Sequence, residues 1–121
     1  MAKSINRKLK LFYLREILLE NTDDGHYLTM NEILEALKNV GIKAERKSIY
    51  NDIDLLRELG LKIINHKRLG YAVVKREFDM AEIELIIEAL DNMDILDAKR
   101  QAIKEKLTSL LSKYEVRKLL K

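Results

Sequence analysis

Apolar positions along this chain recur at helical spacing in five stretches and cluster in short strand-like runs in one. The first helical stretch covers about 5–21. There Leu9, Phe12, Leu14, Ile17 and Leu18 form a stripe near the 3.6-residue period. Asn21-Thr22-Asp23-Asp24-Gly25 is turn chemistry, and Tyr27-Leu28 reads as a brief strand. Thr29 caps a second helix: its side chain can accept the Glu32 N–H while Glu32 reaches back, and Ile33, Leu34 and Leu37 form the buried face. Gly41 stops that helix, because glycine enters the left-handed region cheaply. Val40 and Ile42 flank it and are expected to plug the space between two helices.

A third helix is predicted over about 45–59, closed by Gly60. Ile49, Ile53 and Leu56 lie at i, i+4 and i+7. With Arg46 set to zero, that trio falls at roughly 300°, 340° and 280°, and Lys47, Tyr50 and Asn51 at roughly 100°, 40° and 140°. The apolar face turns inward while the polar one faces out. Next, 62–66 and 71–74 read as two strands around a Lys67-Arg68-Leu69-Gly70 turn. Asp79, with Glu82 three residues on, opens a fourth helix whose stripe is Ile83, Ile86, Ile87, Leu90 and Met93. The phase breaks near Asp97. A fifth helix then carries Ile103, Leu107, Leu110, Leu111 and Tyr114 and extends toward Leu120.

Two helices joined by a tight turn and followed by a two-stranded ribbon predict a winged helix-turn-helix, an architecture that lays one helix in the DNA major groove. The expected fold is mainly α: three helices with a small β-hairpin wing over 1–76, then a C-terminal helical pair over 77–121. A short strand at Tyr27-Leu28 suits this fold, since it can pair with the wing.

Composition narrows the class. A 36% charged content with few aromatics would suit disorder, but the 47% hydrophobic residues are well spaced and mostly Leu and Ile. There is no proline, so helices can run long, and no cysteine, so disulfides and thiolate metal sites are excluded. No apolar run approaches the roughly 20 residues of a membrane span. Arg15 and Glu16 interrupt any secretory signal, so a cytoplasmic protein without a membrane partner is expected. The net charge of +3 is unevenly spread. Residues 1–76 hold 15 Lys/Arg against 10 Asp/Glu, and 77–121 hold 8 against 10. A basic part joined to a mildly acidic part suggests a DNA-facing portion and one with another task; a solvated lysine-rich surface is the plainer account.

The expected DNA-binding residues are Arg46, Lys47, Ser48, Tyr50 and Asn51 on the third helix, with Lys67 and Arg68 on the hairpin tip. Arg46 and Lys47 can reach phosphates or guanine edges, and Asn51 can pair with adenine. Tyr50 can touch a phosphate or a thymine methyl. Lys3, Arg7, Lys8 and Lys10 are either further backbone contacts or an ordinary exposed helical turn. The two histidines, His26 and His66, lack ligand spacing and read as structural or solvated. Asp23-Asp24-Gly25 lacks the further donors of a calcium loop. No phosphate-cradling glycine run, nucleophile elbow or nucleophile–base pair appears, so no catalytic site, cofactor, metal or small-molecule ligand is expected. The last stripes need a partner, either the chain's own first part or a second copy. A homodimer through Ile83, Ile86, Ile87, Leu90, Leu107, Leu110 and Leu111 is the favoured choice, since helix-turn-helix proteins commonly read two half-sites.

Several segments resemble the N-terminal part of WYL-domain transcriptional regulators: Lys8-Leu9-Lys10-Leu11-Phe12-Tyr13-Leu14, Leu28-Thr29-Met30-Asn31-Glu32-Ile33 and 41–53. Gly70-Tyr71 and Glu77-Phe78-Asp79 with the following helix are similar to that family's wing and first post-wing helix. The resemblance spans roughly 5–114. It implies a bacterial or phage DNA-binding regulator, usually homodimeric, with 45–59 as recognition helix. Family members carry a C-terminal WYL sensor module, which this sequence lacks; a fragment of a longer regulator or a stand-alone protein without the sensor is expected. The alternative is a protein–protein interaction module that uses the winged-helix scaffold and the C-terminal helices to bind another protein.

Overall fold

The structure, a computed structural model, describes residues 2–120, with side chains from Arg7 onward except Lys75. Among these residues the chain forms α1 (Ala2–Asn21), α2 (Met30–Asn39), α3 (Arg46–Glu58), β1 (Lys62–His66) and β2 (Gly70–Lys75). Three further helices follow, α4 (Met80–Asp91), α5 (Asp97–Thr108) and α6 (Lys113–Leu119). No helix among the described residues is long and apolar enough to cross a membrane. The chain divides into two compact units, Met1–Val74 and Lys75–Lys121.

In the first unit, the predicted elements form for the predicted local reasons. Thr29 Oγ1 accepts the Glu32 N–H at 3.2 Å, and Glu32 Oε1 accepts the Thr29 N–H at 2.9 Å, which satisfies two of the orphan donors at the start of α2. At the other end, Gly41 takes φ +85°. The Ile42 N–H then reaches Leu37 O and the Gly41 N–H reaches Lys38 O, both at 2.9 Å, so two terminal carbonyls are satisfied. Of the two flanking residues, only Ile42 packs against the core; Val40 is exposed.

The core of this unit joins Leu14 and Leu18 of α1, Ile33 and Leu37 of α2, Ile49, Ile53 and Leu56 of α3, and Ile63, Tyr71 and Val73 of the hairpin. The expected α1 stripe needs correction. Leu9 and Phe12 are exposed, and Leu11 packs inward instead. At about 100° per residue, Leu9 and Phe12 lie across the helix from Leu14 and Leu18, so the true stripe is Leu11, Leu14, Ile17 and Leu18.

The hairpin is pinned on both strands. Leu28 and Tyr71 exchange backbone hydrogen bonds of 2.9 and 2.7 Å, the bridge expected of Tyr27-Leu28. Buried Thr22 donates through Oγ1 to Leu18 O at 2.5 Å and accepts the Val73 N–H at 2.9 Å, fixing β2 to the end of α1. On β1, Arg57 Nε of α3 donates to Ile63 O at 3.0 Å.

The second unit holds three helices rather than the expected pair. Ser109–Ser112 interrupts the predicted fifth helix, and Ser112 caps α6 through a reciprocal pair with Glu115. A Ser-x-x-Glu signature was present at this point, but the unbroken apolar spacing of Leu107, Leu110 and Leu111 masked it. Arg100 closes the α4–α5 connection: Nε donates to Leu90 O at 3.0 Å and the Nη2 group to Met93 O at 2.7 Å. Met93 itself is exposed, outside the α4 stripe. Arg76, only 6% exposed, pairs through Nε with Glu115 Oε1 at 3.3 Å and donates to Leu110 O. That anchors α6 without a continuous helix.

Candidate nucleic-acid interface

The face of α3 follows from its burial. Ile49, Ile53 and Leu56 are 0%, 1% and 2% exposed, so the opposite side of the helix must meet solvent. Arg46, Lys47, Tyr50 and Asn51 are all exposed, within the first two turns. The Arg46 guanidinium donates to Asn31 Oδ1 on α2, which steadies a long side chain that otherwise samples many rotamers. Tyr50 lies close enough to Tyr71 of β2 to affect its titration. Burial pushes the Tyr71 phenol up from its ordinary value; the neighbouring Tyr50 and Asp54 push the same way and Arg57 opposes them. Arg57, whose Nε reaches Ile63 O of β1, marks the edge of α3 that faces the hairpin.

Ser48 does not belong to this outward set. It is half-buried and accepts a hydrogen bond from the Lys10 ammonium of α1. Lys10 also pairs with Asp52 Oδ2 at 2.9 Å, with both side chains largely shielded, 13% and 18% exposed. Lys10 is thus turned onto α3 rather than outward to a ligand. Arg7 and Lys8 are exposed; the Lys3 side chain lies outside those described.

Lys67 and Arg68 stand exposed at the hairpin tip. The tip is organised by His66, whose Nδ1 accepts the backbone N–H groups of Arg68 and Leu69, each at 3.2 Å. Nδ1 must carry no proton to do so. The Tyr27 ring meets the His66 ring edge-on, 6.0 Å between centroids. His26 has a local partner too: its Nδ1 lies 2.8 Å from Asp23 Oδ1, which also accepts the Gly25 N–H at 2.9 Å. The Asp23-Asp24-Gly25 segment is therefore a side-chain-closed turn.

Sequence reasoning passed over two acids. Asp54 and Glu58 are exposed on the outward side of the last turns of α3, and Asp54 pairs with Arg57 at 3.0 Å. Their charge disfavours phosphate along the second half of the helix, although Arg57 partly offsets Asp54. The approximate helical angles of Lys47, Asp54 and Glu58 nearly coincide, and that signal was available in the sequence.

The seven apolar residues expected to dimerise split by burial. Ile83, Leu90 and Leu111 are buried, and Ile86, Ile87 and Leu107 are half-buried, so most of the α4 stripe is already covered. Leu110 is at the edge of exposure. The exposed large apolar side chains of this unit include Leu85 and Leu96, 68% and 78% exposed, with Phe78, Met93 and Leu120. Neither Leu85 nor Leu96 fell on the predicted stripe.

No protein-family model matches the chain, and no curated protein or solved structure matches it either.

Proposed function

We propose that the first unit is a winged helix-turn-helix that binds double-stranded DNA in a sequence-specific manner. In this reading the chain is a cytoplasmic transcriptional regulator of bacterial or phage type, most simply a repressor that blocks polymerase, and it acts as a homodimer through its second unit. The observation that carries the reading is the first half of α3. Arg46, Lys47, Tyr50 and Asn51 stand exposed opposite a fully buried Ile49–Ile53–Leu56 face, the layout of a helix whose N-terminal residues meet base edges. The basic tip of Lys67 and Arg68 supports it, since a hairpin held to α3 by Arg57 can follow the adjacent phosphates. The resemblance to WYL-domain regulators points the same way.

Selection of bound duplexes from a random pool tests the proposal directly. An enriched half-site is expected, and Arg46→Ala or Asn51→Ala should each weaken binding to it by about 1–3 kcal/mol, the worth of a paired hydrogen bond to a base edge. A pool that stays random, or variants that bind as the parent does, would sink it.

A second reading is favoured by Asp54, Glu58, Leu55 and Leu59, which give the far half of α3 an exposed acidic and apolar character suited to a protein partner. Failure to bind random duplex even at low salt would favour it.

A further inference from the structure

We infer that Lys10 and Asp52 are positioning residues: their ion pair sets the rotation of α3 about its axis, and so the pose in which Arg46, Lys47 and Asn51 meet a duplex. The inference rests on the DNA-binding reading above. The Lys10 ammonium spans Ser48 and Asp52, one helical turn apart on α3, and so grips the two turns that carry the proposed base-reading residues. This part of α3 is also attached by the buried apolar side chains Ile49 and Ile53 and by the exposed hydrogen bond from Arg46 to Asn31 of α2. Packing of Ile49 and Ile53 decides which face of α3 turns inward, and the shielded ion pair with its shared hydroxyl adds a polar constraint on the finer angle.

The required accuracy is high. On a helix of about 5–6 Å outer radius, a rotation of about 10° moves a side-chain tip by roughly 1 Å, enough to turn a hydrogen bond into a poor one. Asp52 Oδ2 is buried, and among the described groups the Lys10 ammonium is the donor placed beside it. The Lys10 charge 2.9 Å away is what offsets its desolvation. Removing either partner leaves the other as an uncompensated charge that must move toward water, and the first turns of α3 shift by the small angle that its apolar packing allows.

Two features separate this role from a phosphate contact. Asp52 is an acid on the helix that would approach DNA, so charge alone dictates that Asp52→Asn binds more tightly. Positioning dictates the opposite. Likewise, a phosphate-contacting Lys10 contributes to salt dependence, and a positioning Lys10 does not.

The test uses the full chain in fluorescence anisotropy titrations on its preferred duplex and a scrambled one, across a salt series, with circular dichroism to match folded fractions. Asp52→Asn and Lys10→Met are each expected to lose about fivefold or more in affinity for the preferred duplex, the equivalent of one good hydrogen-bonded base pairing. Binding to the scrambled duplex should hold or tighten for Asp52→Asn, the salt slope should hold for Lys10→Met, and the double variant should bind no worse than the weaker single one. Unchanged or tighter binding of Asp52→Asn to the preferred duplex overturns the inference alone. A Lys10→Met salt slope flattened by about 0.9 does so as well, because that is the signature of one phosphate no longer neutralised. A parent chain that does not distinguish the two duplexes overturns the DNA reading, and the inference with it.

Discussion

Arg57 of α3 donates from Nε to the carbonyl oxygen of Ile63 on β1 across 3.0 Å, while its Nη1 group holds Asp54 at the same distance. One side chain thereby sets the distance between the helix and the hairpin and offsets an acid on the outward face. Arg57→Met keeps the apolar stem and removes both bonds. The Arg57 side chain is 39% exposed, so the stability loss should be modest, about 1 kcal/mol by urea unfolding. Affinity for duplex should fall by more than that loss accounts for, because the hairpin tip no longer keeps its place beside α3. Equal changes in folding and binding would argue that Arg57 only stabilises.

The hairpin meets the chain before α2 with almost no clearance. Gly70 adopts φ +103°, and a Cβ there would lie 2.0 Å from Leu28 O and 2.7 Å from Thr29 Cα, both backbone atoms that cannot rotate away. Gly41 also has positive φ, +85°, but a Cβ there would meet nothing within 4 Å. Gly41→Ala should therefore cost only the left-handed penalty, about 1–2 kcal/mol. Gly70→Ala adds loss of the Leu28–Tyr71 bridge and should cost at least about twice as much. Thermal unfolding of the two variants checks the order, and equal losses would contradict the close approach.

These contrasts also mark what could be read from the sequence. Caps, stops and the hairpin turn were legible because each depends on residues within a few positions: Thr29 with Glu32, Asp79 with Glu82, Gly41 with the last turn of α2. The face of α3 was legible because three isoleucine and leucine positions fix its phase. Pairings over long separations were not. Lys10 reads as one more basic residue of a basic segment, and only the packing of α1 on α3 brings it to Asp52. The mis-phased part of α1 has a different origin: Leu9 and Phe12 are as apolar as Leu11, but at about 100° per residue only Leu11 shares a face with Leu14 and Leu18, so helical phase and not apolarity decides which of them faces the core.

The tip of the hairpin should act on affinity and not on sequence choice. Lys67 and Arg68 are exposed and project from a turn closed by His66. Replacing both with Ala should weaken binding to preferred and scrambled duplexes alike and flatten the salt slope by up to about 0.9 per phosphate released. A loss confined to the preferred duplex would assign these residues to base recognition instead.

Stability at high pH should depend on Tyr71. Burial, with Tyr50 and Asp54 nearby, raises its folded-state value above the ordinary 10.0. Below pH 10 both folded and unfolded chains keep the phenol proton, and the group adds no pH dependence. Above it the unfolded chain ionises first, so stability falls as pH rises from the unfolded value through the raised folded one. Tyr71→Phe removes this decline while leaving the lysines that titrate in the same range. The stability difference between parent and variant, measured by urea unfolding, should be flat below pH 10 and shift in favour of the variant above it. A difference that stays constant to higher pH would show that the phenol is not shielded.

A homodimer places specific demands on the second unit. Ile83, Leu90 and Leu111 are already buried and cannot be offered to another chain without a rearrangement of the fold. The interface must therefore draw on exposed side chains, and Leu85 on α4 and Leu96 at the start of α5 are the most accessible large apolar residues of those elements. A carboxylate at either position is harmless in water and costly under a partner, where it is desolvated without a counter-charge. The chain carrying Leu85→Glu and Leu96→Glu should keep its helical circular dichroism and sediment as a monomer at micromolar concentration, where the parent sediments as a dimer. DNA affinity should then fall on paired half-sites far more than on a single half-site, because the second half-site is no longer reached by a linked copy. A parent that is monomeric at the same concentration would rule out the homodimer and return the second unit to a role within one chain.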